Sequence, residues 1–190
     1  MVREEWLQAL KEKLSPMIVE AGGVLPSTLR VSCGWPAKGA FSSKSRRVGE
    51  CWRPEASADK HTEIFISPCI GEAVEVAGVL AHELIHASGA FNHGKTFKRI
   101  ALAIGLEGPM RATKAGPLLT ERLNGLVADL GPYPHAVLDS QKRPGKKEGT
   151  RLVKVMCAAP GCGYTIRTTQ KWIEVGFPVC PCGTTMDLAE

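Results

Sequence analysis

The stretch Gly78-Val79-Leu80-Ala81-His82-Glu83-Leu84-Ile85-His86-Ala87-Ser88 decides how the rest of this chain is read. A helix is expected from about Gly71 to Ser88, opened by Ser67-Pro68 and broken by Gly89. At 3.6 residues per turn His82 and His86 point the same way, so both imidazoles can reach one ion. Glu83 is turned about 100° from His82. Its carboxylate then falls beside the ion rather than on it, placed to take a proton from bound water and pass it to a leaving amine. Val79, Leu80, Leu84 and Ile85 supply the side that buries the helix.

A catalytic zinc takes three protein ligands and keeps one position open. His93 follows His86 by seven residues, and on an unbroken helix it would sit about 10 Å further along the axis. Gly89 permits a positive φ and a turn that brings His93 back under the ion. Glu107 and Glu121 are weaker third ligands. Cys51 or Cys69 would instead make a Cys-His-His site, as in peptide deformylases.

Working outward, Trp6, Leu7, Leu10, Leu14, Met17 and Ile18 recur at helical spacing from Arg3 to about Glu20, and Gly22-Gly23 ends that helix. Strand-like runs follow at Leu29–Cys33, Val48–Arg53 and Thr62–Ser67. The segment 34–47 between the first two reads as an exposed basic loop. Two more helices are expected, from about Lys95 to Ile104 and near Leu118 to Leu130, the latter stopped by Gly131-Pro132.

Cys157-x4-Cys162 and Cys180-x-Cys182 stand 17 residues apart, and Cys162 and Cys182 are each followed by Gly. Four thiolates around one ion form a closed structural zinc site. A segment of about 40 residues buries too little to fold without such a staple. Short strands are expected at Thr150–Val155, Tyr164–Thr168 and Trp172–Val175, with Trp172 either plugging the small core or, beside Arg167 and Lys171, stacking on unpaired bases. Cys33, Cys51 and Cys69 are scattered singly, as small buried hydrophobes are.

Of the net charge of +5, residues 136–154 carry six basic side chains against two acidic. Lys142, Arg143, Lys146, Lys147 and Arg151 in that run, with Arg167 and Lys171 beyond it, are candidates for contact with nucleic-acid phosphates, and a solvated linker would show the same charges. No apolar run approaches the roughly 20 residues that cross a bilayer. The mixed charges of the N-terminus do not read as a secretory signal, so a cytoplasmic protein is expected, nucleoid-associated in a prokaryote.

His82-Glu-Leu-Ile-His-Ala, then His93-Gly94 and Phe97, resembles the SprT-like zinc metallopeptidases, a group that includes the Spartan proteases. The order of a helix, three short strands, the metal helix and a basic zinc ribbon is similar to that family's layout. The resemblance implies zinc at His82, His86 and His93, catalysis by Glu83, and proteolysis of DNA-associated proteins. Spartan-type members commonly have a longer gap between the second and third histidines. The short gap here is nearer to the related WLM-type proteases.

The expectation is an α+β fold: a small mixed sheet against helices over 1–134, a basic linker over 135–149 and a zinc ribbon over 150–190. Cys157, Cys162, Cys180 and Cys182 would hold the structural zinc, and a second zinc would serve catalysis on a protein substrate. Two other readings fit the same residues: a DNA- or transcription-associated binding module with both metals structural, and a non-peptidase metal hydrolase.

Overall fold

The N-terminal apolar spacing becomes helix α1, Arg3–Glu20, and all six of its periodic apolar residues are buried. This computed structural model describes residues 1–142 and 152–189. The chain divides into two units, Met1–Arg143 and Pro144–Glu190. The basic residues Arg143, Lys146, Lys147 and Arg151 lie outside the described residues.

In the first unit α1 packs on strand β1, Leu29–Cys33. Strands β2, Gly49–Trp52, and β3, Thr62–Ile66, complete a mixed sheet in the order β1-β3-β2. β1 runs parallel to β3, with Val31 opposite Ile64, and β2 runs antiparallel, with Cys51 opposite Ile64. Alternation along β3 turns Thr62, Ile64 and Ile66 inward. The strand β2 is left at the sheet edge.

Helix α2, Ala73–Ala87, lies against β2 and β3. Ser67-Pro68 does not open it. The chain first turns, Ile70 N–H bonding the Ser67 carbonyl, and Glu72 then caps the helix by accepting from the N–H groups of Val74 and Glu75 at 3.0 and 2.7 Å. A carboxylate there satisfies two orphan donors and meets the positive end of the dipole, together worth about 1 kcal/mol. Val76, Ala77, Leu80, Ala81, Leu84 and Ile85 are buried, while Val79 faces the cleft described below. Helices α3, Lys95–Ile104, and α4, Pro117–Leu130, follow. Between them runs a short hairpin without a sequence signature, β4, Leu106–Glu107, paired with β5, Lys114–Ala115. The first residues of the expected linker are tied to this unit, since His135 Nε2–H and Leu138 N–H both donate to the Pro68 carbonyl, at 2.9 and 2.8 Å.

The second unit is a three-stranded antiparallel sheet, β7-β6-β8, from β6, Leu152–Cys157, β7, Thr165–Thr169, and β8, Met186–Leu188. The stretch expected as a third strand is instead a short helix, α5, Gln170–Val175. Helical period turns Ile173 inward and leaves Trp172 58% exposed, so Ile173, not Trp172, fills the small core with Val155, Cys157, Cys180 and Met186. The fold is thus α+β, with five α-helices and small sheets among the described residues. No helix among them is long and apolar enough to cross a membrane.

Candidate metal centres

Helix α2 carries both His82 and His86, one turn apart, and the chain reverses after it at Gly89, whose φ is +94°. That left-handed residue opens a tight return leading into α3 and sets His93 against the other two imidazoles. The Nε2 atom of His93 lies 3.2 Å from that of His86 and 3.3 Å from that of His82. A tetrahedral ion holding nitrogens at 2.0–2.1 Å would separate them by about 3.4 Å. The three residues can therefore hold a metal ion. Cys51, Cys69, Glu107 and Glu121 are not part of this cluster among the described residues.

The outer ring nitrogens of His86 and His82 are also tied. His86 Nδ1–H donates to the Ala90 carbonyl at 2.7 Å, which leaves Nε2 bare for a metal. His82 Nδ1 lies 2.7 Å from Thr113 Oγ1, on the segment leading into β5. Donation from the ring to that hydroxyl exposes the Nε2 lone pair in the same sense. Phe97 of α3, fully buried, lies beneath all three rings, with centroid distances of 4.7, 4.6 and 4.8 Å to His82, His86 and His93. Burial pulls the His82 and His86 imidazoles down to about 3 and about 4, so both are neutral, as ligands must be. Burial lowers His93 as well, helped by the cations Arg111 and Arg47.

Glu83 stands outside the ligand cluster but lines the same cleft. It is 6% exposed, and loss of water pushes its carboxyl up to about 8, against the pull of Arg47. Its close seat depends on Gly49 of β2. A Cβ there would fall 2.6 Å from Glu83 Oε1 and 2.7 Å from Val79 Cγ1, so any side chain would drive the carboxyl away. The cleft encloses about 1320 Å³ and is walled by β2, the loop before it, α2 and the segment 111–115. Cys51 lies in its wall as a neutral thiol, raised by burial to about 12.

In the second unit Cys157 Sγ lies 3.5 Å from Cys182 Sγ, and Cys162 Sγ lies 3.7 and 3.9 Å from those of Cys180 and Cys182. Thiolates held tetrahedrally at about 2.3 Å would be about 3.8 Å apart, so this set too can hold an ion. Hydrogen bonds from Thr184 lead in pulling the Cys182 thiol down to about 6, toward the ligand form. The irregular spacings are reconciled by two turns, Cys162 N–H to Ala159 and Gly183 N–H to Cys180.

Of the described candidates for nucleic-acid contact, Lys142 is exposed and 3.9 Å from Asp139. Arg167 is exposed on β7 directly opposite Lys154 on β6, and the Lys171 ammonium sits 5.2 Å from the Trp172 ring centre. Gly49, the Ala90 carbonyl and Thr113 had no signal in the sequence, because each acts through a contact made only by folding. No protein-family model, curated protein or solved structure matches the chain.

Proposed function

We propose that the chain is a zinc-dependent peptidase of the SprT-like kind. The observation that carries this reading is a buried carboxyl, Glu83, beside three converging imidazoles in a large cleft. Three imidazoles in one site and four thiolates in the other suit zinc better than the oxygen-seeking divalent cations. A structural ion alone would have no use for a buried acid held by a glycine-sized gap. Zinc supplies Lewis acidity, polarising a carbonyl and acidifying a water.

The protein's own groups do the rest. His82, His86 and His93 bind, and Thr113 and the Ala90 carbonyl orient the first two. Glu83 ionises beside a dication, because an adjacent positive charge favours the carboxylate. Its carboxylate takes a proton from the attacking water and delivers it to the leaving nitrogen. The edge strand β2 lines the cleft through Gly49, Glu50, Cys51 and Trp52, and an extended peptide can lie along such an edge. Lys154 and Arg167, paired across one face of the second sheet, with Lys171 and Trp172 nearby, suit contact with DNA and hence DNA-associated substrates.

Elemental analysis and a casein-cleavage assay, with and without single-stranded DNA, test the reading. Wild type is expected to carry two zinc ions per chain and His93→Ala one. Glu83→Gln is expected to keep both and lose at least about a hundredfold in cleavage rate. Cleavage undiminished in Glu83→Gln would leave the metals structural and favour a binding module.

A further inference from the structure

The side chains around the cleft are unevenly committed. Glu50 is engaged three ways, accepting from Ala37 N–H, Arg47 and the Trp52 indole at 2.8, 2.6 and 2.8 Å. Glu72 is the cap of α2, and Glu83 is buried. Only Glu55 and Glu75 remain as carboxylates without a bond among the described residues that line the cleft. Against them stand five exposed cations with no carboxylate partner there: Lys38, Arg46, Arg53, Arg111 and Lys114. Arg53 rests on the Phe91 ring, 4.3 Å from its centre. Away from the cleft, Arg3, Arg30 and Arg99 are each bonded, to Glu4, to Asp59 and Glu63, and to the Ala21 carbonyl, whereas the exposed Arg122 has no bonded partner among the described residues.

Arg111 is the most telling. It lies two residues before Thr113, whose hydroxyl touches His82, and it lines the cleft that holds the imidazoles, its charge bearing on His93. A guanidinium beside a cation site is repelled by it unless an anion comes between. Guanidinium is also the group best shaped to grip a carboxylate with two parallel bonds.

Resting on the peptidase reading, we infer that the cleft selects peptide segments bearing acidic side chains, gripped by Arg111 on one wall and by Arg46 and Arg53 on the other. A nucleic-acid strand fits less well. Its unbroken phosphate row would meet Glu55 and Glu75, and the apolar Trp52 and Phe91, among the cations. An extended peptide alternates its side chains, so it can set a carboxylate opposite each guanidinium and an apolar group between.

The test uses the full chain loaded with zinc and carrying Glu83→Gln, so that binding is read without turnover. Fluorescein-labelled decapeptides alternating Glu with Leu, and their counterparts alternating Gln with Leu, are titrated by anisotropy. The acidic peptide should bind about tenfold tighter, with the preference shrinking at high salt. Arg111→Gln and Arg53→Gln, checked for unchanged metal content and circular dichroism, should each cut that preference about threefold, and Arg111→Lys less. Equal affinity for the two peptides overturns the inference. So does an oligothymidylate whose binding falls in Arg111→Gln while the peptide preference stays, which would assign these cations to phosphate. Selective binding of an acidic peptide that wild type leaves uncut would sink the hydrolase and keep the inference.

Discussion

A ligand histidine is only as good as the bond behind it. His86 is turned by a backbone carbonyl that mutation cannot remove, but His82 depends on a single hydroxyl at 2.7 Å. Thr113→Val keeps the shape of the side chain and deletes that oxygen. The ring is then free to rotate or to protonate the wrong nitrogen, and zinc affinity should fall about 10- to 100-fold. Thr113→Ser restores the oxygen and should recover most of the loss. Competition against a chromophoric chelator measures both. Equal affinity in Thr113→Val and wild type would show that the hydroxyl does not orient the ring.

The turn from α2 into α3 is where helical order had to be given up for the site to exist. Two histidines come free with one turn of α2, but the third requires a reversal within six residues. Gly89 supplies it with a φ of +94°, and nothing among the described residues lies within 4 Å of a Cβ added there. Gly89→Ala is therefore strained without being crowded. It should cost about 1 kcal/mol of stability in the metal-free protein. Because His93 is held by that turn, zinc affinity should fall as well. Urea unfolding with and without zinc separates the two effects: if both midpoints fall by the same amount, zinc affinity is unchanged and the turn does not position His93.

Across the whole molecule, the two sites make different demands. The second unit buries Val155, Cys157, Ile173, Cys180 and Met186, and two of those five are metal candidates, so little apolar burial remains without an ion. The first unit has an ample core around α1, α2 and the sheet and should stay folded when chelated. Its stability then depends on pH in a definite sense. The unfolded chain binds protons on His82 and His86 below about 6.5, where the folded chain does not. Folded Glu83 keeps its proton up to about 8, whereas the unfolded carboxyl releases it near 4.5. From pH 4.5 to 6.5 the unfolded state holds the excess of protons, so stability rises with pH. From 6.5 to 8 the folded state holds one more, and stability falls by about 1.4 kcal/mol per unit. Urea midpoints of the chelated protein, followed by circular dichroism, should peak near pH 6.5. A midpoint that does not fall between pH 6.5 and 8 would mean that Glu83 is ionised in the folded protein.

Spacing alone determined much of this chain. Apolar residues at Trp6, Leu7, Leu10, Leu14, Met17 and Ile18 dictate α1 over Arg3–Glu20, and the four-residue interval of His82 and His86 puts both on one face of α2, because helical period is a local property. The three short strands were legible for the same reason. Short or weakly patterned segments were not: the run Trp172–Val175 suits strand by composition but forms α5, and the two-residue strands β4 and β5 carry no periodic signal at all. Only the tertiary structure decided what surrounds the histidines. Gly49 yields room to Glu83 from a strand over thirty residues away, Thr113 reaches His82 from a hairpin thirty-one residues on, and Arg111 comes with it. Those are contacts between elements, set by how the sheet and hairpin pack on α2, and no local pattern encodes them.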